Sequence, residues 1–276
     1  MQIKKRFQQL FNDPPKKTIW LIGKKILPWF FRESFDELRQ FPRFTTTKTL
    51  LEGKDFFVAD APSFFSAYRE IFTGRIYQFR TKNPRPRIID AGANIGLGTI
   101  FFKKLYPNAD IICFEPDPRV CDILRRNLHS FGFNDVTVFQ KALSDHEGAL
   151  PFFSQGADGG RLIEANDAND TIHVPTIRLR DFLTKQIDFL KIDIEGAETD
   201  VITDCADLLC NVQNLFVEYH SRTDDNQQLH TLLSHLHDAG FRYYIHTGGV
   251  RSPQPFDEKK IYDGMDMQLN IFACRF

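Results

Sequence analysis

The sequence is short of the residues from which disulfide-bonded proteins and zinc sites are built. Its 276 residues include five cysteines, an odd number, and no two of them form a C-x-x-C pair. These cysteines are Cys113, Cys121, Cys205, Cys210 and Cys274. Because they fall within apolar segments, we predict buried free thiols in a reducing compartment. No secretory signal is evident, so we expect the protein in the cytoplasm.

The sequence also lacks an excess of positive charge. It has 35 lysine and arginine residues against 36 aspartate and glutamate residues, which gives a formal net charge of -1 at pH 7. Proteins that bind nucleic acids usually carry a basic excess or a basic stripe. The composition therefore gives no support for a nucleic-acid partner.

A long hydrophobic run is missing as well. The apolar segment at residues 16–31 contains Trp20 and Trp29 but is interrupted by paired lysines. It is too short and too charged to span a bilayer. Two interpretations remain open: a helix packed against the main domain, or an interfacial helix that makes a peripheral membrane contact.

Short apolar runs alternate with helical patterns after residue 87. We predict strands at residues 88–91, 110–114, 136–140, 187–192 and 215–219, with helices between them. Such alternation is typical of an α/β fold with a doubly wound, mostly parallel sheet, and residues 267–276 suit a final antiparallel strand. In this interpretation residues 1–60 are a partly helical N-terminal extension, and residues 61–276 are the main domain.

A glycine-rich segment, IIDAGANIGLG at residues 88–98, begins with the first of these strands and continues into a turn. A dinucleotide-binding loop would read G-x-G-x-x-G and hold a pyrophosphate at the helix N-terminus. Here Asp90 precedes the first glycine by two residues, and a carboxylate there would repel a pyrophosphate but suit a ligand that carries an amino acid. Glu115 ends the second strand and suits the two ribose hydroxyls of an adenosine.

These segments resemble the class I S-adenosylmethionine-dependent methyltransferases, and more closely the FkbM family. The motifs that carry the resemblance are IIDAGANIG (88–96), FEPDP (114–118), KALSD with Gly148 (141–148), LKIDIEGAE (190–198) and VEYH (217–220). The resemblance extends from about residue 68 to residue 226. It implies a seven-stranded Rossmann-like sheet and S-adenosylmethionine (SAM) as the cofactor.

The resemblance also implies a role for individual residues around the cofactor. Those expected to bind its methionine portion are Asp90, Gly92, Asn94 and Gly96. Glu115 would hold the ribose, Ala142 and Leu143 would flank the adenine, and Ser144 would add a polar contact.

Polar side chains end the fourth and fifth predicted strands, and they are the candidate catalytic residues Asp193, Glu195, Glu218 and His220. Methyl transfer to a hydroxyl requires an aligned acceptor oxygen and removal of its proton. His220, or a carboxylate whose pKa is raised by a like-charged neighbour, would serve as the base. Alternatively, Asp193 and Glu218 would hold a magnesium or calcium ion that acidifies a sugar diol, although two ligands are too few to establish a metal site.

The expected function is SAM-dependent O-methylation of a hydroxyl on a sugar, a glycan or a related secondary metabolite. One alternative is a catalytically inactive scaffold or membrane-docked partner-binding protein that retains the fold. A nicotinamide-dependent oxidoreductase is disfavoured because the loop departs from G-x-G-x-x-G and no Tyr-x-x-x-Lys pair is present. We expect acceptor specificity to reside in the Gly-, Asp- and Asn-rich loop at residues 154–170 and in the N-terminal extension. The oligomeric state is left open.

Overall fold

The computed structural model describes residues 35–154, 156, 159–163, 171–249 and 252–275. The chain divides between Gln40 and Phe41, and the described part of the first unit is a short 3-10 helix, Asp36–Gln40. The segment at residues 16–31 lies outside the described residues. No helix in the described part of the chain has both the length and the apolar character needed to cross a membrane.

The second unit, Phe41–Phe276, contains thirteen strands within its described ranges. In chain order they are β1 (Thr47–Leu51), β2 (Lys54–Val58), β3 (Arg87–Ala91), β4 (Asp110–Phe114), β5 (Thr137–Phe139), β6 (Ala142–Ser144), β7 (Gly148–Phe153), β8 (Arg161–Leu162), β9 (Thr171–Arg178), β10 (Phe189–Ile192), β11 (Asn214–Arg222), β12 (Arg242–Thr247) and β13 (Met265–Cys274). The α-helices are α1 (Ala61–Tyr68), α2 (Leu97–Leu105), α3 (Pro118–Phe131), α4 (Glu198–Asp204) and α5 (Leu229–Asp238).

Seven strands form one sheet in the order β12-β13-β11-β10-β3-β4-β5. The pairs that involve β13 are antiparallel, and the other pairs in this sheet are parallel. The predicted α/β fold is confirmed, including the antiparallel last strand. Apolar runs form the central strands because both of their faces are covered: all four residues of β10 are buried. Since parallel strands end at one edge, the carboxyl ends of β3, β4, β10 and β11 meet there.

The hairpin β1–β2 belongs to the second unit. It is attached to α3 through the buried side chain of Asn127. The amide N–H of Phe57 donates to Asn127 Oδ1 at 2.7 Å, and Asn127 Nδ2 donates to the carbonyl oxygens of Phe57 (2.9 Å) and Ile95 (2.8 Å). One side chain thus links the hairpin, α3 and the glycine-rich loop.

A second, four-stranded sheet in the order β6-β9-β7-β8 lies between β5 and β10 in the chain. It contains the two strand-like runs that flank the predicted insertion, and β8 crosses part of the insertion itself. Residues 164–170 of that loop are outside the described ranges. The insertion therefore carries a short strand of its own, which its glycine-rich composition concealed.

The five cysteines are free thiols, as predicted. Cys113, Cys121 and Cys205 are buried, whereas Cys210 is exposed and Cys274 is partly buried. The prediction of burial is therefore wrong for Cys210, which lies in the 3-10 helix Ala206–Asn211 at the protein surface.

Candidate active site

The glycine-rich loop between β3 and α2 has a backbone that ordinary residues would strain. Gly92 and Gly96 have φ values of +80° and +92°. A Cβ atom at Gly92 would overlap the carbonyl oxygen of Asp193, so this position requires glycine for space as well as for conformation. Asn94 also has a positive φ, +48°, and its Oδ1 accepts a hydrogen bond from the amide of Ile95 at 2.6 Å.

Glu115 lies at the end of β4, where two backbone amides hold its carboxylate. The amide of Asn94 donates to Oε2 at 2.9 Å, and the amide of Asp117 donates to Oε1 at 3.0 Å. Burial raises the pKa of Glu115 to about 8. The carboxylate is thus fixed beside the glycine-rich loop, with lone pairs left to accept hydroxyl donors from a ligand.

A cavity adjoins this carboxylate, and we call it the smaller cavity. Its lining includes Gly92, Asn94, Glu115, Ala142, Leu143, Phe152, Leu162, Asp193 and Glu195. Ser144 is not among the lining residues, and its hydroxyl donates instead to Asp145 Oδ1 at 3.1 Å. Sequence reasoning missed Phe152 and Leu162, which come from β7 and β8 of the second sheet. Only the strand-like pattern near residue 150 signalled that part of the cavity wall.

Asp90 is buried at the end of β3 and is paired with Lys191 on the neighbouring strand β10. Its Oδ2 accepts a hydrogen bond from the Thr99 hydroxyl at 2.7 Å, and Lys191 Nζ lies 3.5 Å from Oδ1. Lys191 Nζ also lies 3.2 Å from Asp193 Oδ2 and donates to the carbonyl oxygen of Gly92 at 2.8 Å. Burial alone would lower the pKa of Lys191, but the carboxylates of Asp193 and Asp90 outweigh it and hold this pKa above its ordinary value.

His220 is buried between two carboxylates at the end of β11. Its Nδ1 lies 3.0 Å from Glu198 Oε1, and its Nε2 lies 3.7 Å from Glu195 Oε2. Burial would lower the pKa of His220, yet Glu198 and Glu195 raise it well above its ordinary value. The raised pKa favours the cationic form of the ring, which makes a carboxylate a better candidate than His220 for accepting a proton.

The four candidate catalytic residues lie together at the carboxyl ends of β10 and β11. Burial raises the pKa values of Glu195 and Glu218 to about 8. Gln268 Nε2 donates a hydrogen bond to Glu218 Oε1. One ligand atom each from Asp193, Glu195 and His220 lies within 4.8 Å of the other two, a spacing that one cation could bridge. This set differs from the predicted pair of Asp193 and Glu218.

A second and larger cavity opens on the other side of this cluster. Its lining includes Asp60, Glu70, Tyr77, Asp90, Gly92, Asn94, Lys191, Asp193, Glu195, Glu218, Tyr262 and Gln268. Asp193 and Glu195 line both cavities, whereas Glu218 lines the larger one. Gly92 and Asn94 also line both cavities, so the junction is formed by the glycine-rich loop together with the carboxylates of Asp193 and Glu195.

Two residues near the cluster were missed or undervalued by sequence reasoning. Glu198 accepts hydrogen bonds from the amides of Ile194 (3.1 Å) and Gly196 (3.1 Å), and so supports the turn that carries Glu195 at a φ of +60°. Gln268 lies opposite His220 in the pairing of β11 with β13. The spacing of the motif E-G-A-E indicates Glu198. Nothing in the neighbouring sequence indicates Gln268, because its position depends on how two distant segments pair.

The family model described as the methyltransferase FkbM domain matches residues 90–243, which is more than half of the chain. The chain belongs to the FkbM methyltransferase family. It is 30% identical over 211 residues to methyltransferase sdnD of Sordaria araneosa, covering 63% of this chain and 80% of that protein. It is 30% identical over 159 residues to the 2-O-methyltransferase NoeI of Sinorhizobium fredii, covering 50% of this chain and 65% of that protein.

Among solved structures, the crystal structure of methyltransferase FkbM from Methylobacillus flagellatus KT matches with a TM-score of 0.48 and 14% sequence identity. The match covers 71% of this chain and 46% of that chain. The protein is thus a SAM-dependent methyltransferase with an α/β fold and a seven-stranded sheet.

Proposed function

We propose that this methyltransferase transfers the methyl group of SAM to a hydroxyl oxygen of a sugar, a glycan or a related secondary metabolite. The observation that carries the proposal is the junction between the cavities, where Asp193 and Glu195 border both. A cofactor in the smaller cavity and an acceptor in the larger one would meet at these carboxylates. The name of one relative, a 2-O-methyltransferase, agrees with an oxygen acceptor.

The residues around the smaller cavity fit the cofactor. In our assignment Glu115 accepts the ribose hydroxyls, because its carboxylate is already oriented by two amides. Ala142 and Leu143 flank the adenine, and Gly92 and Asn94, which line the same cavity, contact the methionine portion. When bound, SAM supplies the electrophilic methyl group.

Proton removal is assigned to Glu218, whose carboxylate lines the larger cavity and has a pKa near the pH of the cell. Asp193 is a weaker candidate because Lys191 holds it as an ion pair. Glu195 and the His220 cation would orient the acceptor oxygen and balance the charge at the junction.

The proposal is tested by incubating the protein with isotopically labelled SAM and a panel of neutral sugars, glycosides and secondary-metabolite alcohols. Mass spectrometry should find an acceptor that gains one labelled methyl group on oxygen. Isothermal titration of SAM serves as the second readout. A protein that binds no SAM would support the alternative of an inactive scaffold and overturn the proposal.

The prediction of a peripheral membrane contact at residues 16–31 is separate from the chemistry. Co-sedimentation with anionic liposomes distinguishes its two interpretations. If the segment lies in a membrane surface, the full chain will sediment and a chain that lacks residues 1–40 will not. Equal behaviour of the two chains would favour a packed helix.

A further inference from the structure

Gln268 lies on β13, beside the carboxyl end of β11. It is opposite His220 in the antiparallel pairing of these strands, and it lines the larger cavity together with Glu218. Its Nε2 donates a hydrogen bond to Glu218 Oε1. The other oxygen, Glu218 Oε2, accepts no hydrogen bond from the described part of the chain. Among these residues, Gln268 is therefore the one that fixes the orientation of the Glu218 carboxylate.

His220 also lies near the Gln268 amide but does not compete with Glu218 for its protons. The two Nε2 atoms are 3.4 Å apart. The raised pKa of His220 favours the cationic ring, in which both nitrogens carry a proton and neither accepts a hydrogen bond. The amide nitrogen of Gln268 therefore has Glu218 as its acceptor.

The turn that follows β12 leaves space for the Gln268 side chain. The amide of Gly248 donates to the carbonyl oxygen of Gln268 at 2.9 Å, which places the turn directly against it. A Cβ atom at Gly249 would overlap Gln268 Oε1, and one at Gly248 would lie 3.2 Å from Gln268 Cγ. Gly249 also has a positive φ, +37°. Two successive glycines thus permit the position from which the amide reaches Glu218.

An amide suits this position because a carboxylate base changes its protonation state during the reaction. The NH2 group of Gln268 donates to the ionised carboxylate of Glu218. When the amide turns over, its carbonyl oxygen accepts from the protonated acid. A lysine or an arginine would pair with the ionised form alone and would make Glu218 a weaker base. Gln268 therefore has a partner group for Glu218 both before and after the proton is taken up.

We propose that Gln268 is a positioning residue, which orients Glu218 so that Oε2 faces the hydroxyl group of the acceptor. This inference rests on the proposed function, in which Glu218 is the base. As Glu218 takes the hydroxyl proton on Oε2, the acceptor oxygen bonds to the methyl carbon and the carbon–sulfur bond of SAM breaks. Gln268 itself exchanges no proton with the acceptor.

The kinetic test compares the full-length wild type with Gln268→Met, which keeps a similar volume but has no amide. The acceptor is the compound of the sugar and alcohol panel that gains the labelled methyl group. The kcat should fall by about 10- to 100-fold because the base is misaligned. The KM of the acceptor and the affinity for SAM should stay within about twofold, which a general disturbance of the site would not allow.

Two further variants separate positioning from other effects. In a Glu218→Gln background, Gln268→Met should lower kcat no further, because Gln268 acts through the carboxylate that is already absent. The matched control is Gln186→Met, an exposed residue that precedes β10 and lines neither cavity. It should keep the wild-type kcat.

A structural test does not depend on the acceptor. Crystal structures of the wild type and of Gln268→Met, both with S-adenosylhomocysteine, should show one orientation of the Glu218 carboxylate in the wild type. In the variant the carboxylate should be rotated or occupy several orientations. The Tm of the two proteins, measured alongside, reports whether the variant is folded.

Four results would overturn the inference and leave the proposed function intact. They are an unchanged kcat in Gln268→Met, a raised KM of the acceptor with unchanged kcat, an equal loss of kcat in the Glu218→Gln background, and the same Glu218 orientation in both crystal structures. If the wild type binds SAM but methylates no compound of the panel, the proposed function fails instead. The crystal structures would then still decide whether Gln268 orients Glu218.

Discussion

His220 and Glu198 form a buried pair in which the ring Nδ1 lies 3.0 Å from the carboxylate Oε1. Glu198 also accepts hydrogen bonds from the backbone of the turn that carries Glu195. One carboxylate therefore sets both the charge of the histidine and the position of the neighbouring acid.

The first prediction concerns the charge of His220. Glu198→Gln keeps an oxygen that can accept from the turn but removes the first of the two anionic partners of the ring. The pKa of His220 should fall by about one unit or more, since a charge-charge contact in a buried site is lost. NMR titration of the histidine side chains measures it, with Asp200→Asn on the same helix as the control. An unchanged pKa would contradict the assignment of Glu198 as the main partner.

At pH 9, where Glu115 is ionised, Glu115→Gln should weaken SAM binding by about 10- to 100-fold, because hydrogen bonds to a charged group contribute about 1.5–3 kcal/mol. Isothermal titration measures the affinity. The exposed Glu147→Gln variant is the matched control and should bind as the wild type does. Equal affinities of the two variants would remove Glu115 from the ribose site.

The same substitution should stabilise the ligand-free protein at pH 8. The pKa of Glu115 is about 8 in the folded chain against 4.5 ordinarily. Between these values the folded state holds a proton that the unfolded state has released, so stability falls as pH rises. Glutamine cannot ionise, and the Tm of Glu115→Gln should exceed that of the wild type at pH 8 by a few degrees (~2–4 °C per kcal/mol). At pH 4.5 the difference should shrink.

Two glycines with similar backbone angles should respond differently to alanine. Gly92 and Gly132 have φ values of +80° and +78°, but a Cβ at Gly132 would meet nothing within 4 Å. Gly132→Ala should lower the free energy of unfolding by about 1–2 kcal/mol, because of backbone conformation alone. Gly92→Ala should lower it clearly more and abolish SAM binding, because the loop must move away from Asp193. Urea denaturation measures the free energy of unfolding of the two variants, and titration measures their affinity for SAM. Equal losses of stability would show that a small movement of the loop relieves the overlap at Gly92.

The rate of methyl transfer should rise with pH up to about 8. Glu218 must lose its proton before it can accept one from the acceptor hydroxyl, and burial sets its pKa at about 8. Below that value the rate should change about tenfold per pH unit. Glu218→Gln should lower kcat by about 10²- to 10⁴-fold and remove this dependence. Glu258→Gln, an exposed control, should keep the wild-type kcat and its pH dependence. If the wild type, Glu218→Gln and Glu258→Gln share one pH profile, a residue other than Glu218 is the base.

Removal of divalent metal should leave the activity within about twofold of the untreated enzyme. The carboxylates at the junction already have cationic partners, since Lys191 lies 3.2 Å from Asp193 and His220 lies 3.7 Å from Glu195. Turnover after dialysis against a chelator checks this expectation. A loss that magnesium or calcium restores would instead identify Asp193, Glu195 and His220 as ligands.

The order of helices and strands was predictable because each element corresponds to a local apolar run or a local helical pattern in the sequence. Strand β4 matches its predicted bounds, residues 110–114, and α3, one of the helices predicted between the strands, begins at Pro118. Asp117 explains that start, because its side chain accepts from the amides of Arg119 and Val120 and so caps the helix. Periodicity and capping are properties of neighbouring residues, and the sequence displays them directly.

The walls of the site were less predictable because they are assembled from distant segments. Glu70 comes from a π-helical turn that helical periodicity does not distinguish from α-helix. Phe152 comes from a sheet inserted before β10, and Gln268 depends on the register of β13. The charge of His220 was also out of reach, since it depends on the distance to Glu198. Motifs thus predicted the residues at the strand ends but not their environment.

Asn127 connects the β1–β2 hairpin to the glycine-rich loop through the main-chain groups of Phe57 and Ile95. Such bonds do not depend on which side chains the hairpin carries. These bonds would therefore persist if the exposed side chains of the hairpin, such as Lys48 and Leu50, were replaced, whereas Leu51, Phe56 and Val58 are buried in the core. By the same reasoning, a chain shortened to the family-matched region, residues 90–243, would remove both Phe57 partners of the buried Asn127 amide and leave it only the carbonyl oxygen of Ile95, at a cost in stability. Recombination between relatives is better tolerated before the hairpin than after it.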